Sequence, residues 1–97
     1  MDKRIITPST LVIRKSDVLE SEVHGEIVAL DVGQGQCFGF NSSASSIWRL
    51  LDKETSAHEI CTALQSEFDI DSQQCQDDVL RVLNELRDKG LINISSD

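Results

Sequence analysis

The hydrophobic pattern of this chain changes its period once, at the segment "CFGFNSSASSIWRLL" (37–51). Upstream of Phe40, apolar residues alternate with polar ones, which is typical of β-strands with one buried face. Downstream of it they recur every three or four residues, as on one side of an amphipathic helix. The chain has 97 residues, with no repeat and no linker that would divide it. We therefore predict an α+β fold with the strands first and the helices second.

Short alternating segments predict three antiparallel strands before the junction. His24-Gly25 and the glycine-rich segment 33–35 stand between them as turns, so the strands are expected to form a meander. The three segments are VLESEV (18–23), EIVALDV (26–32) and QCFGF (36–40).

The N-terminal segment differs from the rest of the chain in charge. Residues 1–15 carry four basic side chains and one acidic one, whereas residues 16–97 carry 5 basic and 16 acidic side chains. Together with Pro8 and the apolar residues 11–13, this predicts an N-terminal arm or short strand over 1–15, followed by the domain over 16–97. The acidic domain favours neutral or basic polypeptide partners, and solubility also accounts for its charge.

Three amphipathic helices are predicted after the junction. Asn41 or Ser42 can cap the first, and Ser56 with Glu59 forms a capping box for the second. The third runs from about residue 72 to residue 89, followed by a short extended tail over 91–94. With the sheet, this order predicts a winged-helix-like fold: a three-stranded antiparallel sheet followed by a three-helix bundle. The apolar stripe of the third helix consists of Cys75, Val79, Val82, Leu83 and Leu86.

A winged-helix fold raises the question of DNA binding. A recognition helix needs basic or amide side chains in its first turns, with cations nearby to neutralise phosphates. Here the third helix opens with "DSQQCQDD" (71–78), in which three carboxylates stand beside three glutamines. We predict no nucleic-acid partner, and a winged-helix DNA-binding regulator is kept as an alternative.

Catalytic and metal-binding patterns are missing from the sequence. His24 and His58 have no neighbouring nucleophile and no ligand spacing, and are expected to be solvated surface residues. The three cysteines are widely separated and are expected to be buried thiols. Gly33-Gln34-Gly35 is not followed by Lys-Ser/Thr, so it is a turn rather than a phosphate-binding loop. We predict neither an enzyme nor a cofactor.

The sequence contains no run of about 18 apolar residues and no segment resembling a signal peptide. We therefore expect a cytoplasmic protein with no membrane partner.

The third predicted strand would have an open edge if the meander does not close. Its unpaired N–H and C=O groups could accept an extended peptide, or a second copy of the chain, as an added strand. Phe38 and Phe40 alternate onto one face of the strand, and Gly39 lies on the other beside Cys37, where it allows close approach. The alternative is that both phenylalanines are core residues and Gly39 is a bulge; for Phe40 the core is favoured.

The order of these segments resembles the family of PqqD, the pyrroloquinoline quinone biosynthesis protein D, also described as peptide recognition elements of ribosomally made, modified peptides. The resemblance covers residues 16–94 and rests on "GEIVALDVGQGQCFGFNSSASSIWRLL", "TSAHEICTALQSEFDID" and "DDVLRVLNELRDKGLI". It implies that the leader segment of a precursor peptide adds as a strand beside the third strand and lies against the third helix. A maturation enzyme would then act on the presented peptide.

The resemblance also implies the residues of the peptide groove. One wall would consist of Gln36, Cys37, Phe38, Gly39 and Phe40, and the other of Cys75, Asp78, Val79, Val82, Leu83 and Leu86. Within the family, the glycine-rich turn and "CFGFN" are most similar to the stand-alone leader-binding proteins of lasso peptide clusters, where the partner would be a leader peptidase. Cys37 departs from the aromatic or large residue that is frequent at its position.

Three alternatives remain open at this point. A PqqD-type carrier in quinone biosynthesis would have a radical enzyme as partner. A DNA-binding regulator would bind in a salt-sensitive manner. A self-associating structural module would use the same strand edge to form a homodimer.

Overall fold

The computed structural model describes residues 5–95 of the chain. The first four residues, with Lys3 and Arg4 of the predicted arm, and the last two residues of the predicted domain lie outside the described part. The predicted fold class is confirmed, because a three-stranded antiparallel sheet precedes three helices. The strands are β1 (Val12–Arg14), β2 (Val18–Val23), β3 (Glu26–Asp31), β4 (Gln36–Gly39) and β5 (Ile92–Ile94), and the helices are α1 (Ser42–Arg49), α2 (Ala57–Glu67) and α3 (Ser72–Asp88).

The three-stranded sheet is a meander in the order β2-β3-β4. The turn between β2 and β3 places His24 at φ 52° and Gly25 at φ 81°, the two left-handed residues that a two-residue type I′ hairpin requires. Because side chains alternate along a strand, Ile27 and Ala29 of β3 face the core, whereas Val28 lies on the opposite face and is partly exposed.

Each helix begins at a polar side chain that accepts a hydrogen bond from its first turn. Asn41 is the cap of α1 and accepts from the Ala44 N–H at 2.9 Å, which decides between the two predicted caps. Ser56 of the predicted capping box accepts from the Glu59 N–H at 3.3 Å, and Asp71 caps α3. No helix within residues 5–95 is long and apolar enough to cross a membrane.

Trp48 in α1 is the completely buried centre of the core. Its ring centroid lies 5.3 Å from that of Phe40, and the Arg14 guanidinium lies 5.3 Å above the ring. Its Nε1–H donates to Oε1 of Glu20 at 3.2 Å. One side chain therefore holds α1 against β1, β2 and the end of β4.

The two ends of the chain form a second, two-stranded sheet in which β1 pairs with β5. The Val12 and Thr55 backbones also exchange two hydrogen bonds, of 2.8 and 3.0 Å, and Val12 is completely buried. The sequence indicated short extended segments at both ends but not their pairing. No local pattern specifies a partner at the far end of the chain, and this sheet depends on the tertiary fold.

Asp31 connects the turn before β4 to the C-terminal end of α3. Its carboxylate is completely buried and accepts a hydrogen bond from Lys15 Nζ at 2.9 Å. The side-chain amide of Gln34 donates both to Asp31 and to the Lys89 carbonyl, at 3.1 Å from the latter. The hydrogen bond from Gln34, and then the contact with Lys15, hold the pKa of Asp31 below its usual value.

We expect this carboxylate to make stability depend on pH in acid. A pKa that is lower in the folded than in the unfolded protein gives stabilisation above about pH 4. That stabilisation is lost as the pH falls through the folded-state pKa. The Tm of the wild type should therefore fall more steeply below pH 4 than that of Asp31→Asn, and the two curves should converge. Thermal melts from pH 2 to pH 7, with the exposed Asp69→Asn as control, measure this; parallel curves for wild type and Asp31→Asn would contradict it.

Candidate functional site

The outer edge of β4 is the first part of the candidate site. β4 pairs with β3 on one side, and within residues 5–95 no strand pairs with its other side. The Phe40 N–H donates to the Ile27 carbonyl at 2.9 Å. Backbone groups alternate in an antiparallel pair, so the N–H and C=O groups of Cys37 and Gly39 point to the open side. A Cβ added at Gly39 would meet no atom within 4 Å, so the sheet face beside this edge is open as well.

The edge of β2 at the opposite side of the sheet is less suited to strand addition. Glu20 and Glu22 lie along it and are paired with Arg14 and Arg49. Charged side chains on an edge strand oppose pairing with another chain. β4 carries no charged residue, so it is the more receptive of the two edges.

The α3 residues assigned to the groove by the family resemblance lie mostly in the core. Val82 and Leu86 are almost completely buried and Leu83 is completely buried, whereas Asp78 is half-buried. On the strand side, Phe40 is a core residue packed against Trp48, as the sequence favoured. Phe38 is half-buried, and Gln36, Cys37 and Gly39 are exposed. The strand wall is therefore accessible, whereas most of the helix wall is already covered.

An open pocket of about 340 Å³ lies between the start of α1, the end of α2 and the first half of α3. It contains three of the residues assigned from sequence: Cys75, Asp78 and Val79. Ser42 on its rim follows Gly39 by three residues, which fully extended chain covers in roughly 10 Å; the pocket therefore lies near the end of the β4 edge. The lining consists of Ser42, Ser43, Ser46, Ile47, Leu64, Phe68, Ile70, Cys75, Asp78 and Val79.

Sequence reasoning missed the walls that α1 and α2 give to this pocket. Phe68 follows the last residue of α2 and is 50% exposed, which is unusual for a phenylalanine. Ser42, Ser43 and Ser46 are small and leave space in front of Ile47. A large apolar residue directly after a helix, facing a serine-rich helix start, was the available signal, but the sequence does not show that the two segments meet.

The thiols and imidazoles are placed in different surroundings. Cys61 and Cys75 are buried as expected, whereas Cys37 is exposed on β4, because its position points away from the core. Burial, and then a hydrogen bond with the Cys75 thiol, raises the pKa of Cys61 to about 12, so this thiol is protonated at neutral pH. His24 and His58 are both exposed. Within residues 5–95, no group of three potential ligands is placed to hold a metal ion.

Among solved structures, the chain is similar to TbiB1 in complex with the TbiA(beta) leader peptide. The two chains are 27% identical, with a TM-score of 0.78, and the similarity covers 88% of this chain and 99% of that one. No curated protein matches the chain by sequence.

Two more distant structures share the fold. A lasso peptide synthetase B1 complexed with the leader peptide is 18% identical, with a TM-score of 0.72, over 84% of this chain and 96% of that one. The PqqD truncation of Methylobacterium extorquens PqqCD is described as a functional and stand-alone RiPP recognition element. It is 21% identical, with a TM-score of 0.74, and the similarity covers 91% of this chain and 94% of that one. The model of the family described as coenzyme PQQ synthesis protein D matches residues 26–92. The resemblance noted in the sequence is thereby confirmed, and the chain belongs to the PqqD family.

Proposed function

We propose that this protein is a leader-binding adaptor of lasso peptide biosynthesis, which binds the leader segment of a ribosomally made precursor peptide and itself performs no chemistry. The observation that carries the proposal is the open β4 edge beside an apolar pocket. It occurs in a family member that is 27% identical to a protein solved with a leader peptide bound.

The β4 edge supplies affinity that depends little on sequence. An added strand can form up to four backbone hydrogen bonds with Cys37 and Gly39, each contributing about 1 kcal/mol net. Such hydrogen bonds recognise the extended backbone of a peptide rather than its side chains. They account for binding of an extended segment but not for its selection.

The pocket beside β4 supplies the selection. Its walls contain Ile47, Leu64, Phe68 and Val79, with the Asp78 carboxylate at the rim. Burying one large apolar side chain contributes about 1.5–3 kcal/mol. A leader is therefore selected by an apolar side chain placed just beyond its paired segment, and a basic neighbour would be favoured by Asp78.

The presented peptide requires an enzyme that modifies it. Two of the similar structures hold a leader peptide, and one of them is described as a lasso peptide synthetase B1; together with the sequence resemblance this supports a lasso pathway, in which a leader peptidase is the partner. The second candidate is a PqqD-type carrier that works with a radical enzyme, and the family match supports it.

The proposal is tested by isothermal titration of the protein with leader segments of the precursor peptides encoded nearby, combined with amide chemical-shift mapping. We expect saturable binding, with the largest amide shifts over residues 36–40 and in the pocket walls. A lasso leader should bind more tightly than the precursor of the quinone pathway. Absence of both heat and amide shifts with every leader would refute the adaptor function.

A substitution at Gly39 separates backbone pairing from other effects. Gly39→Pro removes an N–H that points to the open side and places a ring there, so we expect leader affinity to fall about tenfold. Gly39→Ala keeps the N–H and adds a methyl group in open space, so its affinity should match that of the wild type. Equal losses for both variants, measured by titration, would argue against strand addition at β4.

A further inference from the structure

We propose that the outer face of the three-stranded sheet is the docking surface for the enzyme that acts on the presented peptide. This inference rests on the proposed adaptor function. The outer face is defined as the side of β2, β3 and β4 that points away from the helices. It comprises Leu19, Ser21, Val23, Glu26, Val28, Leu30, Cys37 and Gly39.

This face is apolar where a solvated sheet face would be polar. Antiparallel sheets with one buried side usually carry polar residues on the other. Here Leu19 is 62% exposed, Val23 52% and Val28 38%, and Val32, just beyond β3, is 57% exposed. Glu26 is the one charged residue among the eight positions, in a chain with 27% charged residues.

The other charged residues of these strands lie on the side of the sheet that faces the helices. Glu20 pairs with Arg14, Glu22 with Arg49 and Asp31 with Lys15. On β2 the apolar Leu19 and Val23 therefore lie on the outer face and the two glutamates on the helix side, whereas on β3 the buried Ile27 and Ala29 face the helices as in an ordinary half-buried sheet. Solubility does not explain the outer face of β2 and β3, because this face leaves leucine and valine side chains exposed to water.

The size of the face indicates a transient partner rather than a second copy. With a strand spacing of about 4.8 Å and about 3.3 Å per residue, three strands of up to six residues cover roughly 300 Å². A stable dimer buries about 800 Å² on each partner. Two copies would also bring together chains of net charge −8, which repel each other. A larger protein with an apolar contact patch and a neutral or basic rim fits this face better.

The position of the face favours the maturation enzyme among such partners. Cys37 and Gly39 place their side-chain positions on this face, and their backbone groups form the open edge. A leader strand added to β4 would therefore lie about 4.8 Å from the rim of the docking surface. A protein seated on the outer face is adjacent to the bound peptide, which is where an enzyme that processes this peptide has to be.

The test uses the leader peptidase encoded with the precursor peptide and the full-length adaptor loaded with leader. Leu19→Lys/Val28→Lys introduces two charges on the outer face, and Ile5→Lys introduces one at an exposed apolar residue elsewhere. We expect the double variant to weaken peptidase binding at least about tenfold by titration. Ile5→Lys should leave it unchanged, and both variants should bind leader like the wild type.

The outcomes distinguish this inference from the proposed function. Loss of peptidase affinity with intact leader binding supports the docking surface. If leader binds but the double variant leaves peptidase affinity unchanged, the docking surface alone is overturned. The same holds if the wild type binds leader but no peptidase. A wild type that binds no leader refutes the adaptor function. A concentration-dependent dimer in sedimentation that the two lysines dissociate would assign the face to a second copy and overturn the inference.

Discussion

Phe68→Asp is expected to weaken leader binding at least about 30-fold while the protein remains folded. The ring forms one wall of the open pocket and is 50% exposed, so its removal costs the fold little. A leader side chain in the pocket would lose about 2 kcal/mol of apolar contact. The new carboxylate would also stand in the same pocket as Asp78, where a second negative charge disfavours an apolar occupant.

Titration with the leader peptide measures the effect, and urea denaturation shows whether the variant is folded. Ile5→Asp is the matched control, because it places the same charge at an exposed apolar residue outside the pocket. A Phe68→Asp protein with wild-type affinity would show that the pocket does not hold the leader, even if the β4 edge does. A charge at Val82 is less informative, because this side chain is buried and an ionised group there would unfold the protein.

The strand side of the site could be predicted from the sequence because its signals are local. The change of period at Phe40, the glycines at the turns and the alternation over 36–40 determine β4 and its two faces. The edge is open because nothing follows β4 in the meander except a helix, and this order is visible in the sequence. Cys37 was expected to be buried, but its exposure follows from the same alternation.

The helix side of the site could not be separated from the core in the same way. Periodicity shows that Val79, Val82 and Leu83 share one face of α3, but a stripe that covers a sheet and one that lines a groove have the same spacing. Whether the sheet or solvent covers each position depends on where α1 and α2 lie. The pocket wall formed by Phe68 depends on the packing of three helices, which no single segment encodes.

The orientation of β2 was also hidden in the sequence. In "VLESEV" (18–23), Leu19 and Val23 alternate with Glu20, and the usual reading places the apolar residues inside. The structure places Glu20 on the side that faces the helices, where Arg14 and the indole N–H of Trp48 provide partners for its carboxylate although it stays partly exposed. Long-range partners of Glu20, rather than local hydrophobicity, therefore accompany the orientation of β2, whereas on β3 the apolar Ile27 and Ala29 are the buried residues.

Trp48→Ala is expected to lower the free energy of unfolding by about 3–5 kcal/mol, the usual loss for a large aromatic side chain removed from a core. Total stabilities of small domains are about 5–15 kcal/mol, so much of the variant could be unfolded at 37 °C. The ring contacts Phe40, lies under Arg14 and donates to Glu20. Its removal therefore disturbs both sheets and loosens α1, whose first residues line the pocket.

Trp48→Phe is the matched variant, because it keeps an aromatic ring beside Phe40 and removes the indole N–H. We expect it to lose about 1–2 kcal/mol, from a smaller ring and the missing hydrogen bond to Glu20. Urea denaturation followed by circular dichroism compares the two variants with the wild type. Trp48→Ala should also bind leader more weakly in proportion to its unfolded fraction, whereas Trp48→Phe should bind normally. A Trp48→Ala protein as stable as Trp48→Phe would contradict the central position of this side chain, because the two sheets would then be held together without it.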